Sequence, residues 1–179
     1  MSRIVKVVFL GDINGAPGRA ALEKRLPELR ERWAPDVVIA NGENARNGSG
    51  LTPDLYKAFR GMGIDAITLG DHVYRDPKIV PFLERPEEPI ARPANLSARS
   101  PGKRWSRIPA AGTRKSDIFV VTVLGRIFFP LPANDPFTAI DEVLVEIPVR
   151  RPIVIVEAHM EATSEKAALA NWCDGRVAL

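Results

Sequence analysis

The sequence predicts an α/β fold, and two patterns along its 179 residues support this. Short apolar runs of strand length alternate with longer segments whose leucines recur at helical spacing. Each of the first three apolar runs also ends in a polar, glycine-containing segment. Because sites in open α/β sheets form outside the carboxyl ends of parallel strands, we expect these polar segments to meet at one edge of a sheet.

The first half of the chain is predicted to alternate strands and helices. Leu22, Leu26, Leu29 and Trp33 share one face of the first helix at helical spacing, which predicts that this face is buried. Pro27 predicts a kink or a break in the helix. Thr52 is expected to cap the second helix, and Gly63 is expected to end it. The predicted elements are a strand over 4–10, a helix over 19–33, a strand over 37–40, a helix over 53–62, a strand over 64–69 and a short helix over 77–83.

The second half is predicted to begin with a long loop. Residues 84–115 are rich in proline and arginine, so we expect mostly loop there, with a short strand near 89–91. A strand over 117–124, a helix over 137–147, a strand over 153–156 and a helix to 172 follow, and 176–179 are interpreted as the start of a further strand. Thr163 is expected to cap the last helix, with Glu165 in its solvated first turn.

The composition excludes several classes of protein. The net charge is only +3, whereas a nucleic-acid module normally carries a concentrated basic stripe. The most basic local cluster, Arg150-Arg151, is interpreted as solvated loop. The single cysteine, Cys173, is expected to pack in a helix, and its isolation favours a reducing compartment. With no run near the ~18 apolar residues of a membrane span and no signal-peptide pattern, we expect one cytoplasmic domain.

Acidic side chains and a histidine follow four of the predicted strands. Asp12, Glu43 and Asp71 come after the first three strands, and His159 follows the strand over 153–156. Carboxylate oxygens and imidazole nitrogens suit divalent transition metals, and two such ions can activate water and stabilise a phosphoryl group. The pattern therefore predicts a metal-centred hydrolytic site. The alternative for Asp12 is a structural cap on the helix that follows it.

Asn44 and His72 stand next to these acidic residues. His72 could bind metal or donate a proton to a leaving alkoxide. Asn44 could offer its carboxamide to a phosphate, or it could belong to an ordinary turn, since Asn41-Gly42 is a typical turn dipeptide. A lone histidine is more often structural than functional. The chain has only two histidines, however, and both follow strand-like runs, which favours a function.

The glycine turn after the first strand leaves another interpretation open. Gly11, Gly15 and Gly18 lie where a nucleotide-binding turn would be, but Ile13 stands where the second glycine of G-x-G-x-x-G would fall. A Rossmann-like module would need a phosphate on residues 15–18. Its ligand binding would survive replacement of both histidines.

Together these segments resemble the YmdB-like family of bacterial metallophosphoesterases, within the calcineurin-like superfamily. The resemblance follows the chain in order and covers nearly all of it. The matching segments are Gly11-Asp12-Ile13, Gly15, Pro17-Gly18-Arg19, Ala40-Asn41-Gly42-Glu43-Asn44-Ala45, Gly50-Leu51-Thr52-Pro53, Leu69-Gly70, His72, Arg92-Pro93-Ala94-Asn95, Gly125-Arg126, Asp135-Pro136-Phe137, Ala158-His159, Glu161-Ala162-Thr163-Ser164-Glu165-Lys166 and Asp174-Gly175-Arg176-Val177.

The resemblance implies a two-metal phosphodiesterase that hydrolyses 2′,3′-cyclic nucleotides or similar phosphodiesters with a metal-activated water. It implies manganese or iron as the ions. Asp12 would hold the first ion, Glu43 would bridge both, and Asp71 and His159 would hold the second. The implied fold is a calcineurin-like metallophosphoesterase sandwich, in which two mixed β-sheets are flanked by helices.

The resemblance also assigns two residues next to the metals and reveals one departure from the family. His72 would be the proton donor or would steer the scissile phosphate, and Asn44 would contact the substrate. The family has asparagine where this chain has Asp71. The added negative charge should tighten metal binding and weaken the attraction of a phosphate.

A second departure concerns the end of the chain at Leu179. The family continues into further strands and a Gly-Thr-His-Thr-His segment that supplies two more ligands. We therefore expect a domain that lacks its C-terminal strands, with a first ion that keeps two ligands and could be lost. Either a C-terminal part is omitted, a partner chain such as a second copy covers the gap, or the homologue is trimmed.

The leading hypothesis for the function is a phosphodiesterase. The alternative is a catalytically impaired homologue that binds a metal or a phosphorylated ligand and acts as a regulatory protein.

Overall fold

Strands and helices alternate along most of the chain in the computed structural model, which describes residues 4–112, 114–149 and 152–179. The expectation for Arg150-Arg151 falls outside the described residues. The strands are β1 (Val7–Leu10), β2 (Val37–Asn41), β3 (Ala66–Thr68), β4 (Ser106–Ile108), β5 (Ile118–Leu124) and β6 (Ile153–His159). The helices are α1 (Gly15–Trp33), α2 (Pro53–Gly61), α3 (Val80–Glu84), α4 (Pro136–Glu146) and α5 (Thr163–Cys173), and a 3-10 helix at Pro77–Ile79 precedes α3.

The strands form two three-stranded sheets. In the first sheet, the order is β1-β2-β3 and both pairings are parallel. In the second, the order is β4-β5-β6, with β4 antiparallel and β6 parallel to β5. The predicted α/β class is confirmed. The expectation of two mixed sheets holds only for the second sheet in the described part of the chain, because helices α1 and α2 return the chain to the same end of the first sheet.

The two sheets lie between layers of helices. Val38 and Ala40 of β2 pack in a core with residues of α1 and α2. Val37 and Ile39, on the opposite face of the same strand, pack against residues of β5 and β6. A third core joins β5 and β6 to α4 and α5. The order of layers is therefore helices, first sheet, second sheet, helices.

Helix boundaries confirm some of the predicted signals and correct others. Helix α1 begins at Gly15 rather than at residue 19, and the φ of 59° at this glycine turns the chain from the segment over 11–14 into the helix. It continues through Pro27, since packing of the buried Leu22 and Leu26 outweighs the missing hydrogen bond. The placement of Trp33 on the same buried face was wrong, because this side chain at the end of the helix is 53% exposed. Thr52 caps α2 by accepting a hydrogen bond from Leu55 N at 3.2 Å, as predicted. Thr163 is the first residue of α5 rather than its cap, because Ala162 occupies the cap position.

The predicted loop over 84–115 contains strand β4, which the sequence analysis missed because three residues are too few to show a period of two. The short strand expected near 89–91 is reduced to a single bridge between Ile67 and Ile90. At the chain end, Ala178 N donates to Val154 O at 2.9 Å and Leu179 O accepts from Val156 N at 2.8 Å. These bonds join residues 178–179 to β6, but residues 176–179 do not form the strand that was predicted there.

Cys173 is buried in α5 and packs in the core between the second sheet and its helices, as predicted. Among the described residues, none of the helices combines the length and the apolar character that crossing a membrane requires.

Candidate metal centre

The carboxyl ends of four strands bring the predicted metal ligands to one edge of the molecule. Asp12, Glu43 and Asp71 lie just beyond β1, β2 and β3, whose parallel register aligns their ends. His159 is the last residue of β6, so the second sheet contributes to the same edge. All four residues line one cavity of about 270 Å³.

Three of these side chains form a tight cluster, which we call the triad: Glu43, Asp71 and His159. The Nε2 atom of His159 lies 3.1 Å from Glu43 Oε1 and 3.4 Å from Asp71 Oδ1. One donor atom from each residue lies within 4.8 Å of the other two. Two carboxylates and an imidazole are a donor set that suits manganese, iron or zinc. Asp12 lines the same cavity but lies outside the triad.

Gly70 makes the close approach of the triad donors sterically feasible. A Cβ atom at this position would collide with Nε2 of His159 and with Oε2 of Glu43. Glycine at this position is therefore explained by the close packing of the triad side chains rather than by a turn. The absence of a Cβ lets Glu43 and His159 approach each other, as two ligands of one cation would have to do.

The electrostatics of the triad also fit a cation. Burial raises the pKa of Glu43, but the hydrogen bond and charge of His159 and the backbone N–H of His72 outweigh burial and hold that pKa below its ordinary value. Burial lowers the pKa of His159, yet the hydrogen bond and charge of Glu43, with Glu157 and Asp71, raise it to about 9. A proton thus provides the positive charge that two carboxylates need. A divalent ion can replace it.

Asp12, Asn44 and His72 form a chain of hydrogen bonds along the cavity wall. The Asn44 Nδ2 atom donates to Asp12 Oδ2 at 2.7 Å, since a carboxylate can only accept. Asn44 Oδ1 therefore faces His72 Nδ1, which donates to it across 2.7 Å. This arrangement leaves Nε2 of His72, 3.5 Å from Asp71 Oδ2, as the ring nitrogen on the site side.

A second group of polar side chains, which we call the supporting layer, lies beneath the triad: Asn41, Thr122 and Glu157. Asn41 Nδ2 and Thr122 Oγ1 each donate to the Glu157 carboxylate at 2.8 Å. Asn41 Oδ1 accepts from the backbone N of Glu43 at 3.1 Å, which fixes the triad residue. Burial raises the pKa of Glu157, although the hydrogen bonds from Asn41 and Thr122 oppose the shift. The sequence feature that could have predicted this layer is Glu157, a charged residue inside the otherwise apolar strand β6.

The loop between β5 and α4 closes one side of the cavity with Phe128, Phe129 and Pro130. Sequence analysis assigned no role to this loop. Glu165, expected in a solvated turn, instead accepts hydrogen bonds from the backbone N atoms of Arg126 at 2.8 Å and Ile127 at 3.3 Å. The carboxylate is therefore a loop anchor.

The glycine turn offers little to a nucleotide phosphate. Gly15 N donates to Asn44 O at 3.0 Å and Ala16 N donates to Asn47 Oδ1 at 3.3 Å. Because the loop after β2 already engages these N–H groups, the structure gives no support to the Rossmann-like interpretation.

The fold and the donor cluster define an α/β protein with a candidate metal centre at its strand ends. The sequence profile described as YmdB-like protein matches residues 8–179. The chain therefore belongs to the YmdB-like family, as its motifs predicted.

Individual relatives agree with the family. The chain is 38% identical over 172 residues to the 2′,3′-cyclic-nucleotide 2′-phosphodiesterase of Bacillus subtilis. That alignment covers 96% of this chain and 63% of the Bacillus protein. The chain resembles a hypothetical protein from Thermus thermophilus, with a TM-score of 0.84 and 40% identity over 97% of this chain and 65% of the other. A structure described as a novel phosphatase from Mycoplasma pneumoniae has a TM-score of 0.85 and 28% identity over 99% of this chain and 63% of the other. The chain thus spans less than two thirds of the length of these relatives.

Proposed function

We propose that this chain is a metal-dependent phosphodiesterase of the calcineurin-like type, with 2′,3′-cyclic nucleotides or similar phosphodiesters as substrates. The convergence of Glu43, Asp71 and His159 at one cavity carries the proposal. The four layers of helices and sheets support the sandwich fold within a single domain. The names of the relatives support hydrolysis of a phosphoester.

The donor set suggests how ions would be held. Glu43, Asp71 and His159 would hold one divalent ion, and Asp12 with Glu43 would hold a second, with manganese or iron as the expected metals. When bound, such ions lower the pKa of a water and neutralise charge on phosphoryl oxygens. The protein contributes the donor geometry, which Gly70 permits.

His72 is the proposed proton donor to the leaving alkoxide. Its Nδ1–H is donated to Asn44, so the proton to be transferred would be the second proton of an imidazolium, carried on Nε2 beside Asp71. Asn44 would hold this ring orientation because Asp12 fixes its amide. The substrate contact expected of Asn44 stays a prediction.

Hydrolysis of bis-p-nitrophenyl phosphate and of 2′,3′-cyclic AMP tests the proposal. The chain is stripped with a chelator, and turnover is measured before and after addition of manganese, iron or magnesium. We expect turnover only with metal, and its loss in Glu43→Gln and in His159→Ala. Glu23→Gln, at an exposed position on α1, is the matched control. Absence of metal-dependent turnover in a folded wild-type chain would contradict the proposal.

One observation favours the alternative of an impaired homologue that binds a metal or a phosphorylated ligand. In the residues described by the structure, only one cluster of three such ligands is found. Metal stoichiometry by mass spectrometry separates the two functions. Two ions per chain support the enzyme, whereas one ion without turnover supports the binding protein.

A further inference from the structure

The loop between β5 and α4 exposes a large aromatic side chain at the mouth of the metal-site cavity. Phe128 is 82% exposed, and its φ of 67° places its backbone in the left-handed region, which is strained for a bulky residue. Among the described residues, its ring has no aromatic partner. Both features are unfavourable for the isolated chain, and a ligand that contacts this ring would offset its exposure.

The loop around Phe128 is anchored on both sides. Glu165 binds the backbone N atoms that precede it. The next residue, Phe129, packs its ring against His159 with centroids 5.9 Å apart and planes inclined at 54°. We call Phe128, Phe129 and Pro130 the aromatic rim. Because of these contacts, the rim has a defined position relative to the triad.

The size of the cavity limits what it can enclose. Its volume of about 270 Å³ is below the ~300–1,000 Å³ typical of pockets that bury most of a drug-sized ligand. A phosphodiester that reaches the triad can place its phosphate and sugar inside. We expect a planar group attached to the sugar to extend out of the cavity, next to the exposed ring of Phe128.

We infer that the aromatic rim is a stacking subsite for the base of a nucleotide-type phosphodiester, with Phe128 as the residue that selects for an aromatic substituent. This inference rests on the proposed function. Rings stack on every base, so the subsite would favour nucleotides over base-free phosphodiesters without choosing among bases. Phe128 has no side-chain polar atom, so it would act in binding rather than in the chemical step.

A neighbouring cavity is the competing binding site for the base. This cavity of about 330 Å³ shares Asp71 and Pro130 with the metal site and is also lined by Tyr74, Arg75 and Leu131. Tyr74 donates its hydroxyl hydrogen to Pro101 O at 2.7 Å, which holds its ring in place. The experiment must therefore separate Phe128 from Tyr74.

Two substrates isolate the contribution of the base. 2′,3′-Cyclic AMP and glycerol 1,2-cyclic phosphate share the five-membered cyclic phosphodiester, but only the first carries a base. For Phe128→Ala loaded with manganese, we expect kcat/KM on 2′,3′-cyclic AMP to fall about tenfold. The loss should come from a higher KM, with kcat nearly unchanged. On the glycerol ester, kcat/KM should not change. Phe128→Trp should preserve the preference, and Trp33→Ala, which removes an aromatic that is 53% exposed on α1, should not alter it.

The same measurements can overturn the inference. An equal loss on both substrates, no loss on either, or a selective loss in Tyr74→Leu that Phe128→Ala does not show would each contradict it. If the wild type hydrolyses neither cyclic ester, calorimetry decides the inference separately, and the proposed function fails only if bis-p-nitrophenyl phosphate is not hydrolysed either. Tighter binding of adenosine monophosphate than of ribose 5-phosphate, lost in Phe128→Ala, would support the subsite. Absence of that preference would refute it.

Discussion

The triad and the supporting layer contain the same kind of carboxylate in opposite electrostatic settings. Glu43 of the triad faces His159, and its pKa is lowered even though burial opposes the shift. Glu157 of the supporting layer is partly buried against an amide and a hydroxyl, and its pKa is raised. One carboxylate, beyond the end of β2, is thus kept charged beside the cavity, whereas the other, inside β6, is held by uncharged donors beneath it. Neighbours, rather than residue type, determine the difference.

The supporting layer connects to the triad through the backbone. Asn41 accepts from Glu43 N and donates to Glu157, so the Glu157 carboxylate fixes the amide that positions the triad residue. Outer partners of this kind orient ligands and tune metal affinity. The comparison therefore predicts large effects on metal binding from changes in the triad and smaller effects from changes beneath it.

The largest effect is expected from Gly70→Ala. The new methyl group must displace Glu43 or His159, so manganese affinity, measured by titration calorimetry, should fall about 100-fold. Gly61→Ala, where a Cβ would meet no atom, is the matched control and should bind metal like the wild type. Wild-type affinity in Gly70→Ala would show that the triad does not hold the ion.

The next effect compares the two carboxylates directly. Glu43→Gln should lower manganese affinity by about 10–100-fold, because it removes a charged ligand. Glu157→Gln should change it less than about tenfold, since its amide oxygen can accept from Asn41 and the Thr122 hydroxyl can reverse its hydrogen bond. Equal losses in the two variants would remove the distinction between the layers.

The sequence predicted one site shared by Asp12, Glu43, Asp71 and His159, and all four line one cavity, although Asp12 lies outside the triad. The prediction was possible because the signal is local. Polar residues such as Glu43 and Asp71 directly follow apolar runs, and parallel strands bring those ends together without further information. The turn signals at Thr52 and Gly63 were equally local, and the structure bears them out with a side-chain cap and a φ of 87°.

The rest depended on tertiary contacts that no local pattern encodes. Glu157 resembles any polar residue in a strand until its neighbours are known. Strand β4 forms only because β5 lies next to it. Helix α1 tolerates Pro27 because of its packing. The aromatic rim could be predicted only with knowledge of the path of its loop. Glu165, which lies on helix α5 far along the chain, fixes that path.

Manganese affinity should rise about tenfold for each unit by which the pH is raised. His159, with a pKa of about 9 in the metal-free chain, must lose its proton before it binds, so affinity should rise from pH 6.5 to 8.5 in calorimetry. The protonated pair with Glu43 also stabilises the metal-free fold below the ordinary histidine pKa of 6.5. That contribution is lost as pH rises through about 9. Affinity that does not vary with pH would exclude His159 as a ligand.

The smallest effect compares two threonines that face Glu157. Thr122→Val removes a donor at 2.8 Å and leaves a buried carboxylate oxygen short of a partner, so the free energy of unfolding in urea should fall by about 1–3 kcal/mol. Thr68 Oγ1 is buried without a well-formed hydrogen bond, although its hydroxyl favours the charged form of Glu157. Thr68→Val should therefore change the unfolding free energy by less than about 1 kcal/mol. If Thr68→Val were the more destabilising variant, the hydrogen bonds assigned to the supporting layer would be wrong, and Thr68 would be the donor that holds Glu157.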